Sequence, residues 1–562
     1  KCILCGVCVR VCDEVMGVGA LGLVHRGFDT VVKPNLEKPL IESGCVSCGQ
    51  CVSVCPTGAL QERTTMIKET PVQTLETDTT CSFCSVGCSL KLESCGDMLI
   101  KANPDKEGTV NAGLVCGKGK WGFDCSMLED KLEEPLIKSD DEFREADYHE
   151  ALVLIAKRCQ SIGAKYGKDA IGVAVSDRYT NEEAYAIKKM AEAMGAKIFS
   201  MNNRASGIKE VIGHDASPNT IDELLSTELI LAVGFNTTDN PVIQLKMKQA
   251  AERGAKVILV NPEEYPQTMN YLEKEVYVPS EQNHLGFIKA LAKAVAASGK
   301  GKELAGYDEF AACLEKFDIC EEADAAAKEI AEMYLNAKKA MIVFNQNLIS
   351  KEAATLLADI AMISGHIGSP RDGILQVKPK NNSQGLVDMG ITEGAEELEG
   401  VKALVVFGEE ADIDTDVLEF SAVCDTHMTA LAAKADVVIP GTGFASIDGT
   451  YTNTERRLQL VQAAIDENVA LSNWEVAAEI AHVFEVDYEW EDTDDISDEM
   501  YDTVPAYKYA ELDEVLGGVL APTEAAKLVA VADGKFADPI KCTDSLMNVI
   551  AERLPKPANP TA

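Results

Sequence analysis

Two cysteine runs with one spacing constrain this chain more than anything else in it. Cys2, Cys5, Cys8 and Cys12 read C-x2-C-x2-C-x3-C, and Cys45, Cys48, Cys51 and Cys55 repeat the pattern, with Pro56 following. Fourteen of the 19 cysteines lie before residue 126, most of them in three tight groups. Disulfide frameworks belong to small secreted domains, whereas close C-x-x-C spacings in a chain of 562 residues point to metal. The cysteine count is also odd. The expectation is a metalloprotein of a reducing compartment, the cytoplasm.

A compact loop can present three thiolates to three irons of a 4Fe–4S cube, but the fourth iron faces away and needs a distant ligand. Bacterial two-cluster ferredoxins use this run, and its fourth cysteine binds the other cluster. The expected sets are therefore Cys2, Cys5, Cys8 and Cys55 for one cubane and Cys45, Cys48, Cys51 and Cys12 for the other. Gly6 and Gly49 fall inside the loops, where backbone must come close to sulfur and aim N–H groups at a negative cluster. Structural zinc favours paired C-x-x-C knuckles over four cysteines per run. A third group, Cys81, Cys84, Cys88 and Cys116, again sets three thiolates in a loop with a distant fourth. By spacing alone it also fits a zinc ribbon; beside two ferredoxin runs, a third cubane is expected. Cys95, Cys125, Cys159, Cys313, Cys320, Cys424 and Cys542 remain as small apolar residues. Two G-x-G-x-x-G patterns, Gly17–Gly22 and Gly117–Gly122, trail cluster cysteines rather than a β-branched run, so they are discounted as dinucleotide loops.

From about residue 150 apolar strand-like runs alternate with amphipathic stretches. Ala170–Ser176, Lys197–Ser200, Glu228–Asn236, Lys256–Asn261, Ala340–Asn345, Ala403–Phe407 and Ala435–Ile439 read as strands; Asn181–Met194 and Pro241–Arg253 read as helices. Repeated βαβ units imply parallel sheets covered by helices. No HExxH, P-loop or nucleophile triad appears, and the seven histidines are scattered. With 91 acidic against 52 basic residues the formal charge is -39, which repels nucleic acid and anionic membranes, and no run of eighteen apolar residues is present to span a bilayer. Lys1 stands directly before Cys2, so the numbering is expected to begin inside a longer chain.

The segment from Lys1 to Leu60 resembles the double-cubane domain of NAD-linked formate dehydrogenase large subunits and iron-only hydrogenases. Beyond Cys81 the chain resembles the molybdopterin oxidoreductase family, which includes formate dehydrogenase and the large iron–sulfur subunit of complex I. The likeness is carried by Thr180-Asn-Glu-Glu-Ala-Tyr185, Asn381-Asn-Ser-Gln-Gly-Leu-Val-Asp-Met-Gly390, Ala435-Asp-Val-Val-Ile-Pro440 and Asp448-Gly-Thr-Tyr-Thr-Asn-Thr-Glu-Arg-Arg-Leu-Gln459. It implies an α/β fold: a two-cluster ferredoxin-like domain (1–68), a third-cluster domain (74–135), a Rossmann-like parallel-sheet body of the molybdopterin oxidoreductase type (136–482), and an acidic linker and tail (483–562). Lys118 matches the lysine of the family's Cys-x-Lys-Gly, which lies between cluster and pterin.

The chain departs from that family where the molybdenum cofactor would bind. The stretch that holds a selenocysteine or cysteine followed by histidine in formate dehydrogenases reads Ser200-Met-Asn-Asn-Arg-Ala-Ser-Gly207, which leaves Ser206 as a possible ligand. The family's Asp-Pro-Arg reads Asn261-Pro-Glu-Glu264, and its Pro-Gly-Thr-Asp reads Pro279-Ser-Glu-Gln-Asn-His284, so carboxylates stand where phosphate-pairing groups are expected. No counterpart of the family's C-terminal domain is recognisable after residue 480. The resemblance thus implies three 4Fe–4S clusters, a lost molybdopterin site and a relay without substrate chemistry of its own, in a soluble NAD(P)-linked complex that includes electron-bifurcating types. Expected partners are flavin/NADH-oxidising iron–sulfur subunits, with ferredoxin or a hydrogenase, transhydrogenase or reductase module beyond, and further clusters before Lys1. An active molybdenum or tungsten formate dehydrogenase is the alternative. The acidic run Glu485–Asp502 is expected as a solvated linker, with a docking strip as the alternative.

Overall fold

The computed structural model describes residues 1–62, 73–123, 131–139, 142–202, 206–235, 239–261, 271–278, 281–317, 319, 321–394, 398–408, 413–466, 469–531 and 541–544. The chain divides into two units that exchange segments. One holds Lys1–Glu14, Val18–Ala205 and Lys378–Leu516; the other holds Val15–Gly17, Ser206–Val377 and Gly517–Ala562. The span 136–482, expected as one body, is therefore shared between two.

The first unit is built on a seven-stranded sheet. In spatial order its strands are Glu142–Glu145, Leu136–Ser139, Val437–Pro440, Phe420–Asp425, Ala403–Phe407, Ile171–Val175 and Lys197–Ser200. The last five run parallel, and the first two form an antiparallel hairpin along one edge. Every residue of Ile171–Val175 and Ala403–Phe407 is buried, as expected for strands with helices on both faces. Helix Asn181–Met194 starts at a capping box in which Thr180 Oγ1 accepts from Glu183 N and Glu183 Oε2 accepts from Thr180 N. Its Ala184, Ile187, Met190 and Met194 pack into the core of this sheet.

The acidic segment Glu485–Asp502 corrects the linker expectation. Thr493–Thr503 is a helix, capped by Asp492, whose carboxylate accepts from Asp494 N and Asp495 N. Acidic residues in this first turn suit the positive end of the helix dipole. Ile496 and Met500, four residues apart, are fully buried in the same core. Glu499 pairs with Lys189 at 3.0 Å and accepts from Trp490 Nε1 at 2.8 Å, and Trp490 stacks on Tyr488. Two well-spaced apolar side chains suffice to dock a helix whose composition otherwise reads as solvated.

The second unit carries a six-stranded sheet in the order Gly373–Val377, Ala340–Asn345, Leu229–Val233, Lys256–Asn261, Lys274–Tyr277 and Lys541–Asp544. The first five are parallel and Lys541–Asp544 pairs antiparallel with Lys274–Tyr277. Helices Glu281–Ala296, Glu321–Asn336 and Lys351–Ser364 supply the apolar layer against it, including Phe287, Ile330 and Leu357. Each such side chain removed from water contributes roughly 1.5–3 kcal/mol.

Candidate metal centres

In the first cysteine run Gly6, at φ 71°, caps the short helix Val7–Arg10, and in the second run Gly49, at φ 68°, caps Gln50–Ser53. In each run the left-handed glycine lies between the second and third cysteines. Cys2, Cys5, Cys8 and Cys55 together line a cavity of about 340 Å³, walled by Ile3, Leu4 and Val31. Cys55, the last cysteine of the second run, thus stands with the first three of the first run. Backbone N–H groups of Leu60 and Thr57 draw its thiol down to about 7, and Leu4 N donates to Cys2 Sγ at 3.4 Å. Sulfurs that receive backbone N–H bonds suit a negatively charged cluster.

The converse exchange involves Cys12. Burial pushes the Cys48 and Cys51 thiols up to about 11, and both lie close enough to Cys12 and Cys45 to feel them electrostatically. Ala20 N donates to Cys12 Sγ at 3.3 Å and Ser47 N to Cys45 Sγ at 3.4 Å. Among the described residues no three His, Cys, Asp or Glu side chains converge tightly enough to hold one metal ion. In the first set the thiols surround a cavity instead, and four cysteine donors around such a space fit a 4Fe–4S cluster.

Cys81 and Cys88 are buried, and Cys81 N donates to Cys88 O at 2.9 Å, closing the third loop. Burial drives the Cys81 thiol far above its ordinary value, with Cys84 and Cys116 adding to the effect, so these thiols are neighbours. The loop is held from a distant part of the chain, the hairpin Gly449–Thr452 and Leu458–Val461. Asn453 Nδ2 donates to Val86 O at 2.9 Å, Gln459 Nε2 to Gly87 O at 2.7 Å and Thr454 N to Ser85 O at 2.8 Å. A Cβ on Gly87 would lie 1.9 Å from Gln459 Oε1. The signature 448–459 therefore acts here as a clamp on the cysteine loop, a role that spacing alone does not reveal.

Lys118, expected beside the third cluster, is solvent-exposed. Lys380 lies in its field: burial, then Arg178, with Asp177 opposing and Lys118 adding, hold the Lys380 ammonium down at about 8. Arg178 donates to Ser82 O at 3.0 Å and lies over the Phe83 ring. These cations therefore gather at the Cys81–Cys88 loop. Lys120, two residues beyond Lys118, is only 2% exposed and escaped notice in the sequence because one lysine in a Gly-Lys-Gly-Lys run looks like another.

Of the bystander cysteines, Cys159 and Cys424 are buried and Cys95 and Cys313 half-buried; Cys125, Cys320 and the Cys542 side chain lie outside the described residues. Residues 203–205, 262–270 and 279–280, which include altered positions of the pterin-binding segments, also lie outside them. Ser206 is described: it is 3% exposed, and its Oγ has no hydrogen-bond partner among the described residues. Glycine, alanine and arginine beside it offer no thiol or imidazole. A hydroxyl is of the kind that can give molybdenum or tungsten one oxygen ligand.

Residues 131–483 match the family described as molybdopterin oxidoreductase, residues 75–125 its Fe4S4 domain, and residues 1–59 a 4Fe-4S dicluster domain. "Probable oxidoreductase YjgC" of Bacillus subtilis (strain 168) is 26% identical over 90% of this chain and 63% of its own length. A "Putative formate dehydrogenase" of Staphylococcus aureus (strain Mu50 / ATCC 700699) is 26% identical over 92% of this chain and 64% of its own. The chain thus spans under two thirds of the length of these curated relatives. Among solved structures, acetylene hydratase from Pelobacter acetylenicus superposes with a TM-score of 0.62 at 14% identity, over 80% of this chain and 77% of that one, a likeness of fold.

Proposed function

From the premise that the chain belongs to the molybdopterin oxidoreductase family and carries iron–sulfur domains of that family and of the dicluster type, we propose that it is the electron-relay subunit of an NAD(P)H-linked complex. Three 4Fe–4S clusters would be held by Cys2, Cys5, Cys8 and Cys55, by Cys12, Cys45, Cys48 and Cys51, and by Cys81, Cys84, Cys88 and Cys116. When bound, each cluster supplies a one-electron couple whose potential follows burial, charge and hydrogen bonds to sulfur. The chain's own part is to hold the thiolates at fixed places, direct backbone N–H groups at them and keep water from the inner sets. The observation that carries this reading is the exchange of Cys12 and Cys55 between the two runs, which matches the ligand crossing of a two-cluster ferredoxin.

The relay would run between a flavin/NADH-oxidising subunit and a second redox module, a hydrogenase, transhydrogenase, reductase or ferredoxin, in the cytoplasm, with electron bifurcation among the complexes this fits. Among the described residues no helix is long and apolar enough to cross a membrane. Anaerobic reconstitution of the chain tests the proposal: about twelve irons per chain, from three four-iron clusters, with little zinc and no molybdenum or tungsten. Stoichiometric tungsten with pterin would overturn it.

The orphaned hydroxyl of Ser206 favours a second reading, an active molybdenum or tungsten oxidoreductase of the formate dehydrogenase type. Formate-dependent dye reduction by the isolated chain, abolished by Ser206→Ala, would establish that reading in place of the first.

A further inference from the structure

The loop that carries Cys45, Cys48 and Cys51 touches the segment around Cys116. Gln50 Nε2 donates to Gly113 O at 2.9 Å, and Trp121 Nε1 donates to Ser47 O at 2.5 Å. Gly117 packs so closely that a Cβ there would lie 3.1 Å from Val46 O and 3.3 Å from Ser47 O. The residue after Cys116 therefore meets the two residues before Cys48.

Lys120 fills the space beside this contact. Its stem lies against Gly49, where a Cβ would come within 2.8 Å of Lys120 Cγ and 3.2 Å of Cε. Its ammonium donates to Ala102 O and Asn103 Oδ1, each at 2.9 Å, and stands 3.8 Å from Glu62 Oε2. The neighbouring Gly119 faces the third set, since a Cβ on it would be 3.4 Å from Cys81 Sγ. A buried cation persists only where negative charge or acceptors surround it. Here one carboxylate at ion-pair range and two neutral acceptors are in place, between two sets of cysteines.

Resting on the relay reading above, we propose that Lys120 is the positioning residue of an electron-transfer junction. The junction joins the Cys12–Cys45–Cys48–Cys51 set to the Cys81–Cys84–Cys88–Cys116 set, with Ser47, Gly117 and Trp121 as its route. With clusters bound in both sets, one electron would pass between them, one cluster being oxidised as the other is reduced, and no bond or proton would move. The Lys120 charge favours the extra electron on either side and so raises both potentials, while its stem and hydrogen bonds hold the loops in contact.

The test compares reconstituted chains by redox titration followed with electron paramagnetic resonance, and by pulsed measurement of spin coupling between clusters. Lys120→Met is expected to lower the reduced-to-oxidised ratio of the second and third clusters by roughly tenfold at fixed potential, about 59 mV for a one-electron couple. The cluster of Cys2, Cys5, Cys8 and Cys55 keeps its potential, and Lys120→Arg restores the other two. Trp121→Phe is expected to leave all potentials in place and weaken coupling between the second and third clusters. Glu62→Gln, which leaves Lys120 intact, raises the same two potentials and serves if Lys120→Met loads no iron. Equal shifts at all three clusters, no shift in either charge variant, or failure of arginine to restore would overturn the junction. A wild-type chain that loads about twelve irons without coupling between those two clusters also overturns it and leaves the relay standing. A wild-type chain without three cluster signals overturns the relay itself.

Discussion

Gly6 and Gly49 form a matched pair inside one protein. Each precedes a short helix in its cysteine run and each is left-handed, at φ 71° and 68°. Alanine in that conformation costs roughly 1–2 kcal/mol at either position. Their surroundings differ: a Cβ at Gly6 meets nothing within 4 Å, whereas one at Gly49 falls 2.8 Å from Lys120 Cγ and 3.0 Å from Trp121 Cζ2. Forcing a methyl group into that packing adds about 1–3 kcal/mol, as overpacking of a filled site does. Gly6→Ala should therefore lose little beyond the backbone strain, and Gly49→Ala should lose about twice as much or more. The assay is cluster retention in increasing denaturant, followed by visible absorbance and by paramagnetic resonance of each cluster. A gap of 1.4 kcal/mol appears as about a tenfold difference in the opened fraction. Gly49→Ala should also disturb the third cluster's signal, because Lys120 and Trp121 must shift, whereas Gly6→Ala should not. Equal losses in the two variants, or a third-cluster signal insensitive to Gly49→Ala, would refute the packing argument.

Three further outcomes are expected. Cys12→Ala should remove about four of twelve irons and abolish the signal of the cluster held by Cys45, Cys48 and Cys51, with Cys55→Ala doing the same to the cluster of Cys2, Cys5 and Cys8; uncrossed losses in iron analysis and resonance spectra would contradict the ligand sets. Burial holds the Glu183 carboxyl up at about 7 against the hydrogen bonds of Thr180 N, Asn473 and Thr180 Oγ1. A raised carboxyl pKa gives stability that is whole below the unfolded value of 4.5 and lost as pH rises through about 7, so this group costs about 3 kcal/mol between pH 5 and 8. Glu183→Gln should flatten the pH dependence of the denaturation midpoint, and parallel profiles for the two proteins would count against the assignment. Met500→Ala, in the acidic helix, should destabilise the first unit by about 2–5 kcal/mol in denaturant titration, whereas a solvated linker would show no change.

Much of this architecture was legible where one stretch of chain determines its own shape. The cysteine spacing placed the loops, and the helix Asn181–Met194 and the strands Lys197–Ser200, Lys256–Asn261, Ala340–Asn345 and Ala403–Phe407 have the bounds their apolar runs predict. The exchange of segments between the two units was not legible, because it depends on contacts between residues far apart in the chain. The clamp of Asn453, Thr454 and Gln459 escaped for the same reason: a hydrogen bond across 367 residues leaves no periodic trace. The helix Thr493–Thr503 was hidden by its charge, since only Ile496 and Met500 betray a buried face.

The buried polar residues around helix Asn181–Met194 bear on how such a fold ages. Asn181 donates to Thr450 and Thr452, Glu182 accepts from Thr450 and Ser497, and Asn382 accepts from Thr452 N. Each side chain stitches together segments that lie 70 to more than 300 residues apart. Deleting one member strands a buried partner at about 1–3 kcal/mol, whether or not any reaction takes place nearby. Mutational drift in a lineage that had abandoned its substrate would therefore erode the residues that touched substrate first and these last. A buried signature of this kind can persist as the stitching of the fold, independently of any chemistry beside it.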